Sequence, residues 1–214
     1  MPKTIFRSVR LRTGQSPQAV VMPKLILVKH SLPAIDPSLP ARQWRLSDDG
    51  RRRCAGLADA LRAHLPAVLF SSEEPKAEET ARLLAEAWGQ GCRVVPGLHE
   101  HRREKAGWLD GPAFEEAVKG FFNSPEQLVF GEETAIQAKL RFGGALAKIL
   151  AENAGQNVVV VAHGTVIALY AAAVAGVNGY ALWRRLGLPS FVVFEQPGGQ
   201  IVTVVERLEV PDGT

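Results

Sequence analysis

Two of the five histidines stand where chemistry is easiest to place. His30 closes the apolar run LILVKH (25–30), and His163 follows VVVVA (158–162). Both runs read as buried strands. In parallel sheets, ligand sites gather beyond the carboxyl ends of the strands, so the two imidazoles are candidates for one crevice. A neutral imidazole works near neutral pH as nucleophile, acid or base. Taken singly, a histidine after a strand is more often a structural hydrogen-bonding residue than a catalyst. A third cluster lies in HEHRREK (99–105). Its His99, Glu100 and His101 raise a metal site, but strand alternation sends the two histidines to one face and Glu100 to the other. The spacing is not the His-Glu-x-x-His of zinc hydrolases either, so no metal is expected. Arg102, Arg103 and Lys105 read as a solvated basic face, with Arg103 a substrate contact if the run borders the crevice. Gly143-Gly144 belongs to neither GxGxxG nor GxxxxGK[ST], and close helix packing is its expected role.

The elements that must position these residues alternate between short apolar runs and longer helical patterns, the pattern of a layered α/β sheet. Ser47, followed by Asp48 and Asp49, starts a helix running through Leu57 and Leu61 to the region of Leu65. AVLF (67–70) is a strand, Pro75 opens a helix to Trp88, and CRVV (92–95) is a short third strand. Residues 97–131 are loop-rich, with a short helix from Pro112 to Phe121, and suit a lid or flank. Ile136, Leu140, Leu146, Ile149 and Leu150 recur at helical spacing over 132–152. After His163 another helix follows. FVVFE (191–195) and IVTVVERLE (201–209), joined through Pro197-Gly198-Gly199, read as a hairpin. Trp183 and Phe191 are expected in the core.

Charge and composition exclude several classes. The chain of 214 residues carries a formal net charge of +3. Residues 1–21 hold Lys3, Arg7, Arg10 and Arg12 and no acid, so removing those four charges from +3 leaves −1 for the rest. Basic character therefore resides in the leader, and nucleic acid is not an expected partner. The leader reads as a tail, or as sequence upstream of a start at Met22, ahead of a single domain over 22–210. No apolar run reaches the roughly 20 residues needed to cross a bilayer. Cys54 and Cys92 suit small buried fillers in a reducing, cytoplasmic setting.

Around His30 the sequence is LILVKHS, and from residue 71 it is SSEEPKAEETA. Together these resemble the histidine phosphatase superfamily, which includes the cofactor-dependent phosphoglycerate mutases. Its first motif is a strand ending in Arg-His-Gly, and its second has the form Ser-Ser-Pro-x-x-Arg-Ala-x-Gln-Thr-Ala. Ser71, Ser72, Lys76, Ala77, Thr80 and Ala81 fall in register with the second motif. The late His-Gly matches His163-Gly164, and a Leu-x-Glu pattern matches Leu98 and Glu100. The order and spacing of all four elements agree over nearly all of 24–207. Both signature arginines are lysines here, Lys29 and Lys76, and the glycine after the first histidine is Ser31.

The resemblance implies a three-layer α/β/α sandwich with a mostly parallel sheet. It implies phosphoryl transfer in which His30 is the nucleophile and forms a phosphohistidine. Lys29, Lys76, His163 and the amides near Gly164 would cradle the phosphoryl oxygens. Glu100 would be general acid and then base, with Glu104 its competitor. No cofactor or metal enters this scheme, and the expected partner is a small phosphorylated substrate. Lysine keeps the charge of arginine but not its planar two-pronged grip. A weakly catalytic phospho-ligand binding protein is therefore a second reading, and a phosphomutase a third.

Overall fold

The structure, a computed structural model, describes residues 22–208. The basic leader and the end of the 22–210 segment lie outside the described residues. Six strands form one sheet in the order β3-β2-β4-β1-β5-β6. They are β1 (Lys24–Lys29), β2 (Ala67–Ser71), β3 (Arg93–Val94), β4 (Asn157–Ala162), β5 (Ser190–Glu195) and β6 (Ile201–Val205). The first four are mutually parallel, and the β5–β6 hairpin adds antiparallel to β1. The third strand is shorter than its sequence suggests: Arg93 and Val94 pair with Phe70 and Ser71, and β2 ends where Val95 N–H donates to the Ser71 carbonyl.

Strand alternation divides the apolar residues between two cores. Leu25, Leu27, Val158 and Val160 face one side of the sheet, where they meet Phe121, Phe142, Leu146 and Val166. Ile26, Val28, Val159 and Val161 face the other, against Leu57, Leu61 and Leu84. The helices are α1 (Asp48–Leu61) and α2 (Pro75–Trp88) on the second side. On the first lie α3 (Gly111–Asn123), α4 (Ala135–Glu152), α5 (Gly164–Ala175) and α6 (Gly179–Arg185). The result is the α/β/α sandwich that the sequence implied. Each fully buried Leu, Val or Phe contributes about 1.5–3 kcal/mol.

Local chemistry sets the helix ends. Ser47 caps α1 by accepting the Gly50 N–H, with Asp48 and Asp49 in the first turn. Pro75 opens α2, and Gly89 closes it at φ 65°. Thr134 and Gln137 form a capping box at α4. The apolar face of α4 differs from its reading: Ala138, Phe142, Leu146 and Ile149 are buried, whereas Leu140 is 65% exposed. A Cβ at Gly143 or Gly144 would meet open space, so close packing does not account for that pair. Cys54 is buried but Cys92 only half-buried. The short α6, capped by Asn178, had no counterpart in the sequence reading. Among the described residues, no helix is long and apolar enough to cross a membrane.

Candidate active site

The site begins with the pairing of β1 and β4. Lys29 lies opposite Ala162, and the ladder continues one step further, where His30 N–H donates to the Ala162 carbonyl at 3.0 Å. His30 and His163 therefore leave the sheet together at its carboxyl edge, with ring centroids 5.2 Å apart and planes at 61°. Both are buried, at 7% and 0% exposure. His30 Nδ1 lies 2.7 Å from the Ser31 carbonyl, which can only accept, so Nδ1 holds the proton and Nε2 of the neutral ring keeps a free lone pair. Burial, then the charges of His163 and Lys76, hold the His30 pKa well below its ordinary 6.5. His163 is lowered in the same way, chiefly by burial and then Lys76, with Glu100 opposing. Its Nε2 pairs with Ser72 Oγ at 2.8 Å.

The loop after His30 is tied to α1. Ser31 Oγ donates to the Gly50 carbonyl at 2.7 Å, and Ser31 N–H donates to Thr80 of α2. At Gly50 a Cβ would fall 2.0 Å from the Leu32 carbonyl oxygen, so only glycine lets α1 approach the loop after His30 this closely.

The two lysines arrive from different elements. Lys29 Nζ donates to the Leu186 carbonyl at 2.6 Å, and burial lowers its pKa to about 8, with the Glu100 charge opposing. It runs along Gly164, where a Cβ would come 3.0 Å from Lys29 Cε and 3.2 Å from Nζ. Lys76, in the first turn of α2, donates to the Ala41 carbonyl at 2.8 Å and pairs with Glu74 Oε2 at 2.5 Å. Both side chains of that pair are buried, at 6% and 8% exposure.

Glu100 sits on the N-terminus of α5. Its carboxylate accepts N–H groups from Thr165 at 3.1 Å, Val166 at 3.3 Å and His101 at 2.9 Å. Burial, the largest influence, favours the neutral acid, but Arg103, His163 and these donors outweigh it and hold the pKa below 4.5. Two helix-end amides beside Gly164, those of Thr165 and Val166, are thus taken by Glu100, and Gly164 itself leaves room for Lys29. Arg141 of α4 fixes the Glu100 loop by donating to the carbonyls of Gly97, His99 and Glu100 at 2.9–3.2 Å. Glu133 in turn holds Arg141 at 2.5 Å. Glu104 is more exposed and pairs with Arg42 at 2.6 Å, both lining the same cleft as Glu100.

His99 and His101 do not converge with Glu100 on a common point. His99 Nδ1 turns to the Glu100 carbonyl, while His101 packs 4.0 Å from the Phe121 ring and reaches the Glu133 carbonyl. Among the described residues, no three His, Cys, Asp or Glu side chains are grouped to hold a metal ion. Arg103 lies over the Phe114 ring at 4.9 Å, with its buried Nη1 unpartnered among the described residues. A cleft of about 1480 Å³ opens above, with Lys76, Glu74, Glu100 and Arg103 among its lining.

The model of the histidine phosphatase superfamily (branch 1) matches residues 41–207, most of the chain. The chain belongs to that superfamily. The match starts after His30 and does not include it. Solved structures share the fold of this superfamily member. One is a mycobacterial glucosyl-3-phosphoglycerate phosphatase, at 22% identity and a TM-score of 0.68, covering 91% of this chain and 100% of that one. Another is Entamoeba histolytica phosphoserine phosphatase, solved with 3-phosphoglyceric acid, at 18% identity and a TM-score of 0.69, covering 86% and 97%. No curated protein matches the sequence significantly.

For a superfamily member, the site also contains residues to which sequence reasoning gave no role. Ser72, matched only as a motif position, pairs with His163, Glu74 touches Lys76, and Arg141 holds the Glu100 loop. The available signal for Glu74 was the acidic pair at 73 and 74, set between Ser71-Ser72 and Pro75-Lys76 inside the second motif.

Proposed function

We propose that the protein is a metal-independent phosphomonoesterase that cleaves a small phosphorylated metabolite through a phosphohistidine on His30. The observation that carries this reading is the His30 ring itself: neutral, oriented through Nδ1, with Nε2 free beside a second imidazole and two lysines. The Nε2 lone pair attacks phosphorus, the ester P–O bond breaks, and the leaving oxygen takes a proton from Glu100. In the empty site Glu100 is a carboxylate. A phosphate dianion is a like charge and raises the Glu100 pKa on arrival, which supplies the protonated form. The regenerated carboxylate then takes a proton from water as it attacks the phosphohistidine. The P–N bond breaks, and inorganic phosphate leaves. Lys29, Lys76 and Arg103 offset the charge on the phosphoryl oxygens and His163 adds a neutral hydrogen-bonding group, so side chains do the work that a divalent ion does elsewhere. The unpartnered Arg103 Nη1, braced on Phe114, suits an anionic group of the substrate.

The test is rapid quenching after mixing with labelled substrate in the presence of a chelator. Native protein should trap acid-labile phosphate and turn over, and H30A should do neither while remaining folded. Label retained at full level in H30A would reject His30 as acceptor, and turnover restored by a metal after chelation would reject metal independence. The Glu74–Lys76 pair favours one other reading, a weakly catalytic phospho-ligand binding protein, because it offsets one of the two cradle lysines. Such a protein would bind phosphate esters without releasing phosphate.

A further inference from the structure

Glu74 occupies the N-cap of α2, yet its side chain makes no capping bond. It folds inward instead. Oε2 lies 2.5 Å from Lys76 Nζ, and Oε1 accepts the Glu100 N–H at 2.8 Å and stands 3.8 Å from His163 Nε2. A carboxylate held between a lysine and a histidine presents two oxygens where an approaching phosphoryl group would present two of its own. The surrounding charges agree. Lys29 and Arg103 act on Glu100, and Glu74 is the carboxylate in direct contact with Lys76.

We propose that Glu74 is an internal occupant of the phosphoryl subsite, a carboxylate that substrate phosphate must displace from Lys76, and therefore the residue that restricts which phosphoesters the site accepts. This rests on the phosphatase reading for the location of the subsite. A phosphate with no further anchoring competes poorly against a tethered anion, because the carboxylate is already desolvated and held at the lysine. An ester with a second group to grip elsewhere in the cleft displaces it more readily. Glu74 would thus select against free phosphate and the smallest phosphoesters, and in favour of those with an additional anchoring group.

The substitution E74Q separates this role from a structural one. Glutamine keeps a carbonyl oxygen for the Glu100 N–H, removes the charge, and leaves Lys76 without its carboxylate partner, tied only to the Ala41 carbonyl. Inorganic phosphate binding, measured by titration calorimetry, should be about tenfold tighter or more in E74Q than in native protein. The gain should vanish in the double variant E74Q/K76A, since it comes from releasing Lys76. Equal or weaker phosphate binding by an E74Q that melts like native protein would overturn the proposal, as would a gain that persists without Lys76. Failure of the phosphatase reading itself shows separately, as loss of His30-dependent acid-labile label, because phosphate binding requires no turnover.

Discussion

The two lysines decide how the proposed phosphate cradle works at the level of single residues. A lysine is a compact charge on a flexible stem, so here its geometry must come from neighbours rather than from the side chain itself. Lys29 is held by the Leu186 carbonyl and Lys76 by the Ala41 carbonyl and Glu74. Removing either charge should cost about 2–4 kcal/mol of transition-state stabilisation, roughly a hundredfold or more in kcat/KM. Lys29→Arg should leave turnover unchanged or impaired, because Lys29 already fills the space beside Gly164. Measuring kcat/KM for both alanine variants and for Lys29→Arg on one aryl phosphate checks this. A loss below a few-fold on alanine substitution at both positions would remove the lysines from the cradle.

At the scale of elements, the site depends on a loop that has no regular structure of its own. Residues 95–101 bring Glu100 to the start of α5, and Arg141 on α4 is what fixes them there. Arg141→Met keeps much of the packing of the stem but removes the bonds to three carbonyls and leaves buried Glu133 without its partner. The expected cost is about 2 kcal/mol or more in stability, read as a lowered Tm, together with a fall in kcat as Glu100 loosens. An unchanged kcat would show that Glu100 needs no such anchor. The elements themselves were largely legible in sequence: Ser47, Pro75 and the VVVVA run mark two helix starts and a strand through capping, fixed φ and apolar continuity. The anchor was not legible. Arg141 lies 41 residues from Glu100, and nothing local in α4 distinguishes it from a surface arginine.

For the whole molecule, buried histidines couple stability to pH. His30 and His163 have folded-state pKa values well below the ordinary 6.5, and burial lowers that of His101 as well, so between those values and 6.5 the unfolded chain binds more protons than the folded one. Stability therefore rises with pH across that window and falls on acidification below 6.5. Glu100 and Glu133 are lowered from 4.5, and the stability they contribute is lost only at more acid pH. Lys29, lowered to about 8, acts only on the alkaline side. Thermal melts should show Tm falling between pH 6.5 and about 5, with a shallower fall in H30A, which has one fewer buried imidazole to protonate. A Tm that stays flat or rises over this range would contradict the burial of neutral histidines. The sequence by itself determined the layered α/β class, most strands and helices, and two histidines after strands, because apolar periodicity, caps and turn residues act over a few neighbours. Only the tertiary structure decided that β1 and β4 are adjacent and in register, which turns two separate histidines into a pair. It alone put Glu100 on the α5 amides and Glu74 on Lys76, because a buried charge goes to the partner that folding brings within reach, and sequence distance does not record that choice.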